Sequence, residues 1–208
     1  MAEDGEGSSD NSEFDDDNNE DDVFGDKSMM AEKDPSKLID LELVKLLKFC
    51  NTLKNDNQNK EEYQDELMMK GLSIGKKSGD KTLILDMDET MIAAQFSGKE
   101  TKDFVPTFNF NFSDTNIRVR VRPFCTEMLE KLSQFYEIIA WTAGVKDYAD
   151  PILDYIDPEK KFFKMRLYRD TCIKVDQFYI KDLDVILDRT KESMVIVDNS
   201  ILSFSFDL

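Results

Sequence analysis

Leu83-Ile84-Leu85 is a short, wholly apolar run set between Lys81-Thr82 and Asp86-Met87-Asp88. A run of this length bounded by charge marks a strand buried on both faces, which requires a parallel sheet covered on each side. Ligands of open α/β sheets bind just beyond the carboxyl ends of the strands. Asp86 and Asp88 stand at that end, two residues apart, and both can face one pocket. Such a pair can hold a hard divalent cation, Mg2+ above all, through oxygen ligands. One carboxylate can also attack phosphorus while the other handles the proton.

The rest of the chain supplies the layers that such a strand needs. Tyr136–Trp141, with Ile138-Ile139-Ala140 at its centre, Met165–Tyr168 and Met194–Val197 read as further strands. Helical patterns lie between them, from Pro123 to Phe135, from Val145 to Ile156 and from Asp182 to Arg189. Strands alternating with helices predict a doubly wound parallel sheet. Phe104–Arg122 departs from this pattern. Phe108, Phe110 and Phe112 alternate with polar residues, Ser113–Asn116 reads as a turn, and Ile117, Val119 and Val121 alternate with Arg118, Arg120 and Arg122. That is a β-hairpin with one apolar face.

Upstream, Asp34-Pro35-Ser36 opens a helix running to Asn51, Asn55–Lys60 is a polar break, and Glu61–Lys70 is a second helix closed by Gly71 as a C′ glycine. Gly71–Asp80 reads as a linker. Residues 1–26 hold 12 of the acidic side chains and no basic one, leaving −5 of the total charge of −17 to residues 27–208. Residues 1–34 are therefore expected to be a disordered acidic tail. Residues 35–78 form a helical segment with its linker, and residues 79–208 the catalytic-looking domain.

Composition removes several chemistries. The chain has no histidine, so Ser-His-Asp triads, Cys-His pairs and His-ligated zinc are excluded. Cys50, Cys125 and Cys172 form no CxxC pair and read as thiols of a reducing compartment. The mildly acidic domain offers no basic face for a nucleic-acid backbone. No stretch approaches the ~20 apolar residues of a membrane helix, and the acidic start is not a secretory signal. A soluble protein of the nucleus or cytoplasm is expected.

Three strand ends deliver polar residues to one edge of the sheet: Asp86 with Asp88, Thr142, and Asp198 with Asn199. Lys181 lies within reach of the same edge. Taken singly, each has a plain alternative: Asp-x-Asp arises often by chance, Thr142 can cap a helix, Lys181 can be a surface lysine and Asp198-Asn199 a turn. Together they read as a phosphoryl-transfer site. Mg2+ offsets charge between Asp86 and a phosphate dianion, Lys181 and Thr142 meet phosphate oxygens, and Asp88 serves as acid and base. Asp198, Asn199, water and the Met87 carbonyl complete the metal shell.

At this point the chain resembles a known family. Asp86-Met87-Asp88-Glu89-Thr90 is similar to the DxDxT motif of haloacid dehalogenase (HAD) superfamily phosphatases, with Thr90 and Asp198 as supporting residues. Trp141-Thr-Ala-Gly-Val-Lys-Asp-Tyr-Ala-Asp-Pro-Ile-Leu-Asp-Tyr-Ile-Asp-Pro158, Leu167–Cys172, Tyr179–Leu183 and Val197–Ser200 resemble further blocks of the FCP/SCP-type phosphatases. The resemblance implies a HAD-like fold with a hairpin insertion that helps shape a peptide groove. It implies a nucleophilic Asp86, an acid/base Asp88, and phosphate contacts from Thr142 and Lys181. Its metal ligands are Asp86, Asn199 and the Asp88 backbone carbonyl, and it puts Arg169 near the bound peptide. The implied substrates are phosphoserines of the RNA polymerase II C-terminal repeats or of other phosphoproteins. A family member that only binds presequences, with degenerate motifs, supplies a non-catalytic alternative. Ile201 stands where the family has proline, and the chain stops at Leu208 where the family continues. A domain shortened at its C-terminus is therefore expected, with an inactive truncated phosphatase as the further alternative. Oligomeric state is left open.

Overall fold

The computed structural model describes residues 35–99 and 101–208; the expected acidic tail lies outside them. Asp40–Leu208 form one compact unit. The described helices are α1 (Pro35–Asn57), α2 (Glu61–Lys70), α3 (Cys125–Leu132) and α4 (Lys146–Ile156). The strands are β1 (Lys81–Leu85), β2 (Ile92–Phe96), β3 (Phe108–Phe112), β4 (Thr115–Val121), β5 (Tyr136–Trp141), β6 (Phe163–Leu167), β7 (Ile173–Val175), β8 (Phe178–Ile180) and β9 (Met194–Val197).

A parallel four-stranded sheet in the order β6-β5-β1-β9 lies at the centre. Leu83 sits opposite Ile138 on one side and Val195 on the other. Side chains alternate across a strand, and the two faces fill two cores. Leu83, Leu85, Ile138 and Ala140 pack with Leu129 of α3 and with Ala149, Ile152 and Leu153 of α4. Ile84, Ile139 and Trp141 pack with Leu53 of α1, Tyr63 of α2 and the β7–β8 hairpin. The expected α/β architecture with cover on both faces is what the chain forms.

The insertion is a three-stranded antiparallel sheet, β2-β4-β3, rather than a bare hairpin. Ser113 and Asp114 make its two-residue turn at φ 46° and 61°, the left-handed conformation that matches the twist of paired strands. Ile117 and Val119 are fully buried, and the phenylalanines of β3 pack beside them. The additional strand, β2, contains Ala93-Ala94, which carries no β-branched signal.

Five expectations are corrected. The chain does not form a helix over Asp182–Arg189. Asp182 accepts the Asp184 N–H, a single 3₁₀ turn covers Leu183–Val185, and Ile186 then bridges to Leu72. Helix α1 continues through the expected break as far as Asn57, whose side-chain amide donates to the Leu53 carbonyl. Gly71 is not a left-handed cap, since its φ is −53°. A Cβ there would lie 3.1 Å from the Leu187 side chain, so close packing is its role. Helix α3 begins at Cys125 after Phe124 at φ 65°, and Phe124 and Phe135 stay exposed instead of joining its buried side. The linker reading also fails in part: Ile74 is buried and Leu72 exchanges hydrogen bonds with Val185 and Leu187.

Candidate active site

Asp86 follows β1 directly, and its amide extends the ladder by donating to the Val197 carbonyl at 3.0 Å. Thr142 follows β5, Asp198 follows β9, and Lys181 follows β8. All four meet at the carboxyl edge of the parallel sheet, as the strand-end reading expected. The Lys181 ammonium is 2.5 Å from Asp86 Oδ1 and 2.6 Å from Asp198 Oδ2, with its side chain only 1% exposed. Asp198 Oδ1 accepts the Ser200 N–H at 2.8 Å, so both its oxygens are engaged.

Asp88 faces a different set of partners. Tyr148, in the first turn of α4, donates to Asp88 Oδ1 at 2.6 Å, and the Thr142 hydroxyl lies 3.4 Å from Asp88 Oδ2. Thr142 Oγ1 itself accepts the Gly144 N–H at 2.9 Å, which holds the turn after β5 in place. The two carboxylates of the motif are thus distinguished by environment: Asp86 is ion-paired, Asp88 hydrogen-bonded by neutral groups. Burial pushes both carboxyl groups above the ordinary range; Lys181 opposes it at Asp86, while Tyr148 and Thr142 oppose it at Asp88. Burial and the neighbouring Asp88 charge push the Tyr148 phenol upward as well, so it remains a donor.

The turn after Asp88 is built to be rigid. The Met91 and Ile92 amides both donate to the Met87 carbonyl, at 2.9 and 3.1 Å. That carbonyl has two lone pairs and both are used, which removes it from the metal shell in which the sequence reading had put it. Glu89 adopts φ 59°, and Arg122 clamps the turn by donating to the Glu89 and Thr90 carbonyls at 2.8 and 2.5 Å. The Thr90 hydroxyl is buried with no regular hydrogen-bond partner. Arg122 and Tyr148 are the positions that sequence reasoning missed. Tyr148 lies inside a quoted block, six residues after Thr142, but its target is 60 residues away in the chain.

Two cavities flank the carboxylates. One, about 560 Å3, is lined by Asp88, Tyr148, Phe96 and Phe112 of the inserted sheet, Val145 and Arg169. Arg169 is fixed there by donating to the Ala143 carbonyl at 2.6 Å and by stacking on Tyr179. The other, about 480 Å3, is lined by Thr90, Asp198 and the exposed Asn199 together with apolar side chains. The inserted sheet thus borders Asp88, and Asn199 lines the second cavity beside Asp198.

Oxygen donors dominate, and one lysine serves two carboxylates, so the pocket carries excess negative charge. Among the described residues no three His, Cys, Asp or Glu side chains cluster at ligating distance. The chemistry of the donors, aspartate and amide oxygens with Asp86 at the strand end, fits Mg2+, which keeps much of its hydration and takes one or two carboxylates. The described helices include none long and apolar enough to cross a membrane.

Several known proteins are similar to this chain. CTD small phosphatase-like protein 2 of Dictyostelium discoideum is 40% identical over 127 residues, covering 61% of this chain and 22% of its own length. The probable C-terminal domain small phosphatase of the same organism is 33% identical over 150 residues, covering 72% of this chain and 48% of its own. The solved structure of Fcp1, an essential RNA polymerase II CTD phosphatase, aligns with 74% of this chain and 43% of that chain at 25% identity and a TM-score of 0.49. The chain thus spans between about a fifth and a half of the length of these curated relatives. The family model described as NLI interacting factor-like phosphatase matches residues 81–208, well over half of the chain. The chain therefore belongs to the NLI interacting factor-like phosphatases.

Proposed function

We propose that this protein is a Mg2+-dependent phosphoprotein phosphatase that works through an aspartyl-phosphate on Asp86. The observation that carries the reading is the unequal pair at the end of β1: Asp86 beside an ammonium, Asp88 beside a phenol and a hydroxyl. Two carboxyl groups in contrasting environments are how one site supplies both a nucleophile and an acid. Phosphoserine of the RNA polymerase II C-terminal repeats, or of a similar phosphopeptide, is the proposed substrate, in line with the names of the relatives. The nucleus or cytoplasm is the corresponding place of action.

In the first step a carboxylate oxygen of Asp86 forms a bond to phosphorus as the bond from phosphorus to the seryl oxygen breaks. That oxygen takes the proton of Asp88, so the serine leaves neutral. Lys181 and Thr142 donate to the phosphoryl oxygens, which are charged in the bound ester and in the transition state alike. In the second step Asp88, now ionised, takes a proton from water. The water oxygen bonds to phosphorus, the bond to Asp86 breaks, and inorganic phosphate and the Asp86 carboxylate are released. Asp86, the Asp88 carbonyl and Asn199 would hold Mg2+, which when bound would supply the charge that lets an anionic nucleophile approach a phosphate dianion. Arg169 and the aromatic wall of the inserted sheet are the proposed peptide contacts, and Thr90 and Asp198 support the Asp86 side.

The test is hydrolysis of p-nitrophenyl phosphate by the purified chain, with Mg2+ and with EDTA. Turnover that requires Mg2+ is expected. Soluble, cooperatively folded protein with no turnover would favour the peptide-binding alternative instead.

A further inference from the structure

Lys181 is the cation on which the proposed site depends, and the segment that carries it is tied to residues upstream of β1. Lys181 lies in the segment Cys172–Asp188. Helix α2 and the extended residues after it, Glu61–Gly75, run along this segment and are tied to it repeatedly. The Tyr63 hydroxyl donates to Asp182 Oδ2, next in sequence to Lys181. Asp182 is fully buried and Tyr63 only 6% exposed. Glu66 accepts the Lys174 N–H at 3.2 Å, and Lys70 donates to the Cys172 carbonyl. Leu72 donates to the Val185 carbonyl at 2.8 Å and accepts from the Leu187 amide at 2.9 Å. The Ile74 and Gly75 amides donate to the Asp188 carboxylate at 3.1 and 2.9 Å.

These ties bracket Lys181 on both sides. Its own amide donates to the Ser203 carbonyl at 2.6 Å, and nearby Phe206 meets the edge of the Tyr63 ring at 5.5 Å between centroids. The Lys181 ammonium must sit within hydrogen-bond reach of Asp86 and Asp198 at once. A shift of the backbone by about 1 Å is enough to degrade such a contact. Within this strap the Tyr63–Asp182 bond is a fully desolvated polar contact immediately beside the lysine, and removing one partner leaves the other buried and short of a partner.

We propose that Glu61–Gly75 is a positioning element of the active site, in which Tyr63, through Asp182, sets the place of Lys181. The inference rests on the reading of Lys181 as a phosphate contact. It makes the upstream helix part of the catalytic unit, so that whatever binds or displaces α2 changes affinity for phosphate. Tyr63 touches no reacting atom and acts only through its neighbour.

The experiment uses the full chain and inorganic phosphate as probe. Binding of phosphate is measured by calorimetry with Mg2+ present, together with KM and kcat for p-nitrophenyl phosphate and the thermal midpoint. In Tyr63→Phe, which keeps the ring, the phosphate Kd and the KM are expected to rise together by about three- to tenfold, with kcat changed less than twofold, because binding common to ground state and transition state is lost. Glu66→Gln, which loosens the neighbouring tie without emptying the core, should move both in the same direction by a smaller factor; it stands as the test if Tyr63→Phe fails to fold. A lowered midpoint with phosphate Kd and KM within twofold of wild type in both variants overturns the inference and makes the strap purely structural. Lys181→Ala separates the two claims. If it leaves the phosphate Kd unchanged, the assignment of Lys181 fails, and the inference with it; if it abolishes phosphate binding while both strap variants bind normally, only the inference fails.

Discussion

Buried charge clusters lie at opposite ends of the parallel sheet, and the contrast between them separates structure from chemistry. At the amino end, Glu137 of β5 has a fully buried side chain with every oxygen taken. Arg189 donates to it at 2.5 and 3.1 Å, Thr82 at 2.6 Å and the Ser78 amide at 3.2 Å, and the Lys164 ammonium is 3.2 Å away. Burial alone would raise its pKa, but these donors, Arg189 first, hold it well below the usual carboxylate range. At the carboxyl end, Asp86 and Asp198 share one lysine, Asp88 has neutral partners only, and burial prevails at both Asp86 and Asp88. The saturated cluster has nothing left to bind, whereas the under-compensated one has the excess negative charge that, in the proposed function, draws a cation and only with it a phosphate.

The largest effects should fall on the carboxyl end. Asp86→Asn is expected to lower kcat on p-nitrophenyl phosphate by at least about a thousandfold, since no nucleophile remains. Asp88→Asn should cost about a hundred- to a thousandfold and cost most with poor leaving groups, which need the proton. Equal loss across leaving groups would remove Asp88 from the acid role. At the other end, Glu137→Gln leaves the buried Arg189 guanidinium with only the longer Asp188 contact at 3.4 Å, a change worth about 3 kcal/mol of stability in urea unfolding. Its turnover per folded molecule should stay within a few-fold of wild type. If activity collapses while stability holds, the division between the two ends is wrong.

The pH dependence of stability should also run in opposite directions. Glu137 has a depressed folded-state pKa, so its stabilisation is present above the ordinary carboxylate value, about 4.3, and is lost as pH falls through the folded value. The gap between wild type and Glu137→Gln should therefore shrink from pH 6 to pH 3. Asp86 has a raised pKa, so its ionisation disfavours the folded state as pH rises through that value. In metal-free buffer at pH 7, Asp86→Asn should raise the thermal midpoint by a few degrees, and the gain should fade toward pH 4. A lower midpoint at pH 7 would mean that Asp86 is held as firmly as Glu137.

What could be read from the sequence follows the range of the interactions involved. Strands β1 and β5 were legible because burial on both faces leaves an unbroken apolar run; β9 is an equally apolar run although Val195 and Val197, on the edge strand of the sheet, are exposed, and Asp86, Asp88, Thr142 and Asp198 were legible because they stand at the ends of those runs. The β3–β4 turn was legible because Ser113-Asp114 sits between two alternating strands. By contrast, β2 and the three-residue β7 and β8 are fixed by pairing partners and carry little local signal. The false helix at Asp182–Arg189 has the same origin: Leu183, Val185 and Ile186 are buried, but hydrogen bonds from Leu72, over a hundred residues away, draw the chain out. The roles of Tyr148, Arg122 and Tyr63 depend on partners 60, 33 and 119 residues away, and no local pattern announces them.

The central claim is that Asp86 is the residue that takes the phosphoryl group. Reductive trapping tests it: the chain is mixed with p-nitrophenyl phosphate and Mg2+, quenched in acid during turnover and treated with borohydride, which converts an aspartyl phosphate to homoserine. Peptide mass spectrometry should find homoserine at position 86, and none in samples prepared without substrate. Turnover with no modified residue at 86, or with the modification at Asp88 or Asp198, would contradict the account.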